Sequence, residues 1–275
     1  MFDIIAFLAA PTCIALMLGA ISAHLGNHVL EREVIFVDLS IAQVAAMGFA
    51  VAMAFEFEHE SFAGAVFATS FALLAAGFFA AIRKLEGLIH SEALIGVTYA
   101  TASAATLLIV SSLGLDQDHI KNMLIGALLW STWTDVLWAI ALFAPISLVL
   151  WTFREHFHLV STDTEAASQK GLSIGRWDFL FYGLFALVIA FAVQLAGVLL
   201  VFTYLVVPAS IGRIISRDPT RRYLWALTIS TTLTVVGLFV SFRLDLPEGA
   251  TIVVLLGLTL FLTVTRQLWK TTATT

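Results

Sequence analysis

Charge is scarce in this chain of 275 residues, of which 12% are charged and 60% are hydrophobic. An ordinary soluble domain carries about 25% charged residues, so this composition excludes a soluble globule and a disordered chain. The mean hydropathy of +0.97 and the net charge of −5 exclude a nucleic-acid binder with a basic face. Cysteine is nearly absent, and the single Cys13 excludes a disulfide framework and any multi-cysteine metal site.

Long apolar runs are abundant, and a run of roughly 20 residues crosses a bilayer. The run 179–215 is too long for one span and has Gly197 near its middle, so we predict two shorter helices at 179–195 and 198–213. Apolar residues do not alternate along the chain, which excludes a β-barrel. The sequence predicts an all-α polytopic membrane protein of about nine spans in one domain, 1–275. The other predicted spans are 2–21, 34–55, 62–82, 93–113, 135–153, 224–242 and 251–268.

Basic residues divide unevenly between the two sides of the membrane. On this span count, one side receives every lysine and arginine except Lys121 and Arg243. The positive-inside rule makes that side cytoplasmic, with the N-terminus outside and the C-terminus inside. The same count predicts a cytoplasmic insertion at 154–177 and an interfacial or re-entrant helix at 116–134.

Acids and histidines collect in the predicted outer loops. An acidic mouth raises the local concentration of cations, although outer loops are also acidic because basic residues are kept out of them. The outer set is Glu56, Glu58, His59, Glu60, Asp116, Asp118, His119, Asp245 and Glu248. We take Glu58, His59, Asp118 and His119 as candidates for a cation path.

Asp38 stands in the second predicted span, where a carboxylate is costly unless it faces a cavity or a partner. Ser40 and Gln43 follow, but at about 100° per residue Asp38 and Gln43 lie some 140° apart and share a face poorly. Asp38 therefore either belongs to a polar transport path, or lies near the cytoplasmic end and snorkels to the interface or pairs with Arg32.

Histidines give weaker signals. His24 and His28 are i,i+4 neighbours that could bind a divalent metal, although two interfacial histidines without metal are commoner. A solvated loop position is favoured for three other histidines and a neighbouring glutamate, namely His90, His156, His158 and Glu92. The chain has no Walker A loop and no HExxH motif, so we do not expect it to hydrolyse ATP or to be an enzyme.

The segment 208–222, PASIGRIISRDPTRR, is the most informative inner loop. We predict that a short helix ends at Pro208 and that a small-residue turn leads into a basic stretch stopped by Pro219. A compact, positively charged cytoplasmic helix between two spans suits docking against another protein, and a plain positive-inside loop is the alternative.

Several strings resemble the permeases of bacterial metal-ion ABC importers for zinc, manganese or iron, and the resemblance covers nearly the whole chain. The strings are GVLLVFTYLVVPASIGRIISRDPTRR (197–222), LDLPEGATIVVLL (244–256), the acidic-alanine-glycine stretch 163–171, and GNHVLEREVIFVDLSIAQVAAMG (26–48).

The resemblance implies a type II ABC importer permease in the bacterial inner membrane, a homodimer surrounded by lipid with the path at its axis. A separate ABC ATPase subunit would bind below it, and a periplasmic or lipid-anchored solute-binding protein would deliver metal from above. No cofactor would be bound permanently, no nucleic acid would be a partner, and the cargo would be Zn²⁺ first, or Mn²⁺ or Fe²⁺. The ATPase would couple through Pro208, Ser210, Gly212, Arg213 and Arg217.

One position departs from the family pattern. The family has a histidine four residues after the aspartate of the second helix, whereas Ala42 stands there in this chain. Gln43 has the family histidine's distance from the following Gly48, so the resemblance carries Asp38 over as a metal ligand and suggests Gln43 beside it. The alternatives are a permease for iron chelates or corrinoids, an intramembrane metalloenzyme, and a passive channel.

Overall fold

A computed structural model describes residues 2–57, 61–82, 90–113 and 128–272, with side chains from residue 8 to residue 269. All regular structure in these ranges is helical, which confirms the predicted all-α class. The helices are α1 (Phe2–Glu31), α2 (Val37–Ala54), α3 (Phe62–Ile82), α4 (Ser91–Ser112), α5 (Trp133–Thr152), α6 (Arg154–Thr162), α7 (Thr164–Gln169), α8 (Ile174–Ile215), α9 (Pro219–Leu244) and α10 (Glu248–Thr272), with a 3-10 turn at Leu128–Trp130 before α5.

Eight of these helices, all except α6 and α7, are long and apolar enough to cross a membrane. The 42 residues of α8 would extend about 63 Å as one straight helix, roughly twice the hydrocarbon thickness. Gly197, at φ 75° and ψ 159°, divides α8 into two helical segments. That conformation is essentially restricted to glycine. The predicted break at Gly197 is confirmed. Two of the nine predicted spans lie in α8, and each of the other seven corresponds to one of the remaining long helices.

The predicted helix end at Pro208 is wrong. Helix α8 continues through Pro208 to Ile215, and Pro219 is already the first residue of α9. Membrane helices tolerate an internal proline where neighbouring groups satisfy or cover the freed backbone carbonyl, and Pro208 is buried in the protein. The turn between the two helices is confined to 216–218, so no separate short helix lies there.

The chain groups into two compact units. The first contains Met1–Leu30, Leu124–Phe143 and Leu195–Thr275, and the second contains Glu31–Met123 and Ala144–Gln194. The expected single domain stays a prediction.

Close helix crossings occur inside each unit. In the first, Gly26 of α1 lies directly against the backbone of Leu205 in α8. In the second, α2 packs on both α3 and α4. A Cβ atom at Gly48 of α2 would lie 2.8 Å from the carbonyl oxygen of Phe67 in α3. Small residues at such crossings let helix backbones touch, as is typical of membrane helices.

Candidate functional site

The basic loop between α8 and α9 is a tight, capped turn. Asp218 is the N-cap of α9 and accepts a hydrogen bond from the backbone N–H of Arg221 at 2.9 Å. Nε of Arg222 donates to the carbonyl of Ser216 at 3.1 Å. A Cβ atom at Gly212 would lie 2.6 Å from the carbonyl oxygen of Arg222. The end of α8 and the start of α9 therefore pack backbone to backbone, and a push on the loop acts on both helices.

Arg213 ties this loop to the end of α1. Its Nη1 donates to the carbonyl of Leu30 at 3.0 Å. The last carbonyls of a helix lack partners within the helix, and a cation beside them also interacts favourably with the helix dipole. The loop is thus attached to three helices of the first unit.

The five residues predicted for coupling separate into two groups by exposure. Arg213 and Arg217 are exposed, whereas Pro208 and Gly212 are buried and Ser210 is half-buried. The two arginines are accessible to a partner, and the other three shape the helix end that carries them. Their coupling role stays a prediction.

Gly212→Ala is expected to lower the melting temperature of the purified protein by several degrees, because the methyl group must displace the backbone of Arg222. Overpacking of this kind costs about 1–3 kcal/mol. The matched control is Gly257→Ala in α10, where a Cβ atom meets nothing within 4 Å. An equal melting temperature for both variants would show that the α8–α9 contact is not tight.

Asp38 lies in the first turn of α2 and is 2% exposed. Its Oδ1 is buried and has no hydrogen-bond partner among the described residues. The alternative that Asp38 pairs with Arg32 is wrong, because Arg32 is bound to Asp178 at 2.6 Å. The carboxylate is therefore a buried acceptor with capacity left for a ligand.

A second carboxyl group, that of Glu92, reaches the same helix end. Glu92 lies in the first turn of α4, and its Oε1 accepts the backbone N–H of Phe36, the N-cap residue of α2, at 3.3 Å. Its Oε2 is buried and unbonded among the described residues. The hydrogen bond to Phe36, two residues before Asp38, brings the Glu92 carboxyl group to the helix end that carries Asp38. The solvated loop position predicted for Glu92 is wrong.

Ser40 and Gln43 face other directions than Asp38. Along α2 they are rotated from it by about 200° and about 140°, respectively. Ser40 is buried and its Oγ has no bond among the described residues, while Gln43 is half-buried. The structure thus does not gather Asp38, Ser40 and Gln43 into one patch, and a role for Gln43 in the path stays a prediction.

Arg32 is the centre of a buried network in the second unit. Its Nη1 bonds Asp178 Oδ1, its Nε donates to Ser161 Oγ at 3.0 Å, and its guanidinium lies 4.1 Å from the ring centre of Phe181. The Arg32 and Asp178 side chains are each 1% exposed. This network joins the α1–α2 connection to α6 and to the beginning of α8, and it therefore positions the predicted cytoplasmic insertion.

The histidines show ring packing. The rings of His24 and His28 meet edge to face at 5.4 Å, and Tyr223 packs on His24 at 5.7 Å. His156 stacks on Trp177 at 4.8 Å, with 14° between the ring planes. Among the described residues no group of three or more His, Cys, Asp or Glu side chains could hold a metal ion.

Much of the predicted outer mouth lies outside the described residues. This applies to Glu58, His59, Asp118 and His119, and to most of the predicted re-entrant segment 116–134. Glu248, which the structure does describe, accepts the backbone N–H of Leu129 at 2.9 Å and so holds the 3-10 turn against α10.

Comparison with known proteins identifies relatives along nearly the whole chain. The model of the ABC 3 transport family matches residues 5–267. A Haemophilus influenzae protein named "Probable iron transport system membrane protein" is 27% identical over 238 residues, which are 86% of this chain and 82% of that protein. The "Manganese import system permease protein ScaB" of Streptococcus gordonii is 24% identical over 247 residues, 90% of this chain and 86% of that protein.

A solved structure shares the fold. It is described as PsaBC from Streptococcus pneumoniae in complex with Fab, and it superposes with a TM-score of 0.78 at 21% sequence identity. The match covers 94% of this chain and 90% of that chain.

Proposed function

Because the chain belongs to the ABC 3 transport family, it is a multi-pass permease of the metal-ion ABC type, and we propose that it imports manganese or ferrous iron past Asp38. The observation that supports this proposal is the Asp38 carboxylate, buried at the start of α2 with an oxygen that no described residue bonds. An ionisable group that is buried in a membrane-spanning helix is by default a candidate functional site.

The donor chemistry favours manganese or iron over zinc. Carboxylate oxygen suits Mn²⁺, whereas zinc sites usually include histidine nitrogen or cysteine sulfur. Ala42 replaces the imidazole that the family pattern has four residues after the aspartate. The relatives named above are an iron protein and a manganese protein. Zinc, the first choice from the sequence, stays a prediction that the experiment below tests.

Energy would come from a separate ABC ATPase that docks on the α8–α9 loop through Arg213 and Arg217. The close packing of Gly212 on Arg222 supports this proposal, since it makes the loop a stiff connection to two helices. The complete importer would be a homodimer of this chain in the bacterial inner membrane, with a metal-binding protein on its outer face. The N-terminus would lie outside and the C-terminus in the cytoplasm.

Uptake of radioactive metals by cells without this chain tests the proposal. In chelator-treated medium we expect manganese or iron accumulation to fall several-fold, and a plasmid copy to restore it only when the ATPase is present. Parallel arms supply zinc and a chelated form of iron. Unchanged accumulation of every metal, or full uptake without the ATPase, would contradict the proposed function.

A further inference from the structure

Helices α2 and α4 bring two carboxyl groups together at one end of the second unit. The two helices pack against each other, and Asp38 and Glu92 each lie in the first turn of their own helix. Because one span separates α2 from α4, both helices cross in the same direction and begin on the same side. Their first turns therefore meet, as the hydrogen bond from Phe36 to Glu92 shows.

This pair is short of positive charge among the described residues. Asp38 Oδ1 and Glu92 Oε2 are both buried without a hydrogen bond there. Arg32, the cation nearest to Asp38 along the chain, donates to Asp178 and Ser161, and its remaining Nη2 has no hydrogen bond among the described residues. Two carboxylates close together in a partly buried site repel each other unless a cation lies between them or one of them takes up a proton. The N-terminal dipole of α2 supplies only a fraction of one positive charge, which is less than two carboxylates require.

We propose that Asp38 and Glu92 together hold the transported dication, one oxygen from each helix, so that the cargo joins the first turns of α2 and α4. This inference rests on the proposed function and adds Glu92 to the path. One divalent ion balances two carboxylates, and a set of oxygens alone favours Mn²⁺ over softer metals. Glu92 then has two tasks, because Oε1 caps α2 while Oε2 binds the ion.

The two tasks of Glu92 are separated by measuring how tightly the purified permease–ATPase complex binds Mn²⁺. Equilibrium dialysis or the electron paramagnetic resonance signal of free Mn²⁺ gives this affinity. Glu92→Gln retains an acceptor for the Phe36 N–H and removes the charge, and we expect it to weaken Mn²⁺ binding at least tenfold without lowering the melting temperature. Glu92→Ala removes both and is expected to lower the melting temperature as well. The matched control is Asp135→Asn, since Asp135 caps the backbone N–H of Thr132 at the start of α5 from an exposed position.

The outcomes distinguish the pair from a merely structural cap. If Glu92→Gln binds Mn²⁺ like the original protein and only Glu92→Ala is impaired, Glu92 is a cap and the inference is overturned. If Asp135→Asn loses as much binding as Glu92→Gln, the effect is not specific to the pair and the inference is likewise overturned. Uptake by the unmodified importer checks the proposed function separately, because it can remain intact while the pair fails.

Discussion

Arg32→Met is expected to destabilise the protein by about 3–5 kcal/mol, the usual result of leaving one partner of a buried ion pair uncompensated. Asp178 is fully buried, and the substitution removes its 2.6 Å bond to the guanidinium. The Ser161 bond and the contact with the Phe181 ring disappear with it. The loss of stability is measured by heating the protein in detergent and quantifying the folded protein that remains by size-exclusion chromatography.

Two further variants show whether the charge of Asp178 is the cause. The double variant Arg32→Met with Asp178→Leu is expected to recover most of the stability, because a well-packed apolar pair often replaces a buried ion pair without loss. The control Arg154→Met removes an exposed arginine whose ring contact is with the exposed Trp151 at 5.7 Å, and it is expected to change stability by less than about 0.5 kcal/mol. If Arg32→Met unfolds at the temperature of the control, the network is not a principal support of the second unit.

The membrane helices could be predicted from the sequence because lipid imposes one simple rule on every residue of a span. Within the bilayer each backbone group must be bonded inside its own helix, so a run of about 20 apolar residues is sufficient evidence of a helix. Gly197 was equally readable, since a span of double length requires a break and glycine adopts the positive φ that the break uses. The Pro208 prediction failed because proline is a weaker stop in lipid than in water.

The candidate site was readable only in part. Asp38 is conspicuous because a lone acid in an apolar run is expensive, and this signal is local. Glu92 and Asp178 gave no such signal. Their partners Phe36 and Arg32 lie 56 and 146 residues away, respectively, and become neighbours only through the packing of separate helices. Hydropathy predicts that helices exist and not which of their faces meet, so the sequence suggests Arg32 as a partner for Asp38 and not for Asp178.

The second unit buries two carboxylates, those of Asp178 and Asp38, and they differ in the cation that balances their charge. Asp178 has its cation supplied by the chain itself, at a distance that fits a charge-assisted hydrogen bond. Asp38 has no such partner among the described residues, and a second acid, Glu92, bonds the N-cap residue of the same helix. In the first arrangement the chain itself balances the buried charge and stabilises the fold, whereas the second is balanced when a cation enters.

Neutralising Asp38 is therefore expected to abolish transport while leaving the protein folded. Asp38→Asn keeps the size of the side chain and removes the charge that replaces part of the hydration shell of the ion, so we expect manganese uptake by cells to fall at least tenfold. Protein abundance and co-purification with the ATPase should remain unchanged, because the α8–α9 loop belongs to the other unit. The measurement is initial uptake of radioactive manganese at matched expression.

Ser40→Ala is the control for this experiment, since it alters the same helix two residues away. Ser40 is also buried and its Oγ is also unbonded among the described residues, but it points about 200° away from Asp38 around α2. Its uptake should stay within about twofold of the unmodified importer. If Ser40→Ala lost as much transport as Asp38→Asn, a general disturbance of α2 would explain both. Full uptake by Asp38→Asn would show that the ion passes without this carboxylate, and the ligand assignment would fail with it.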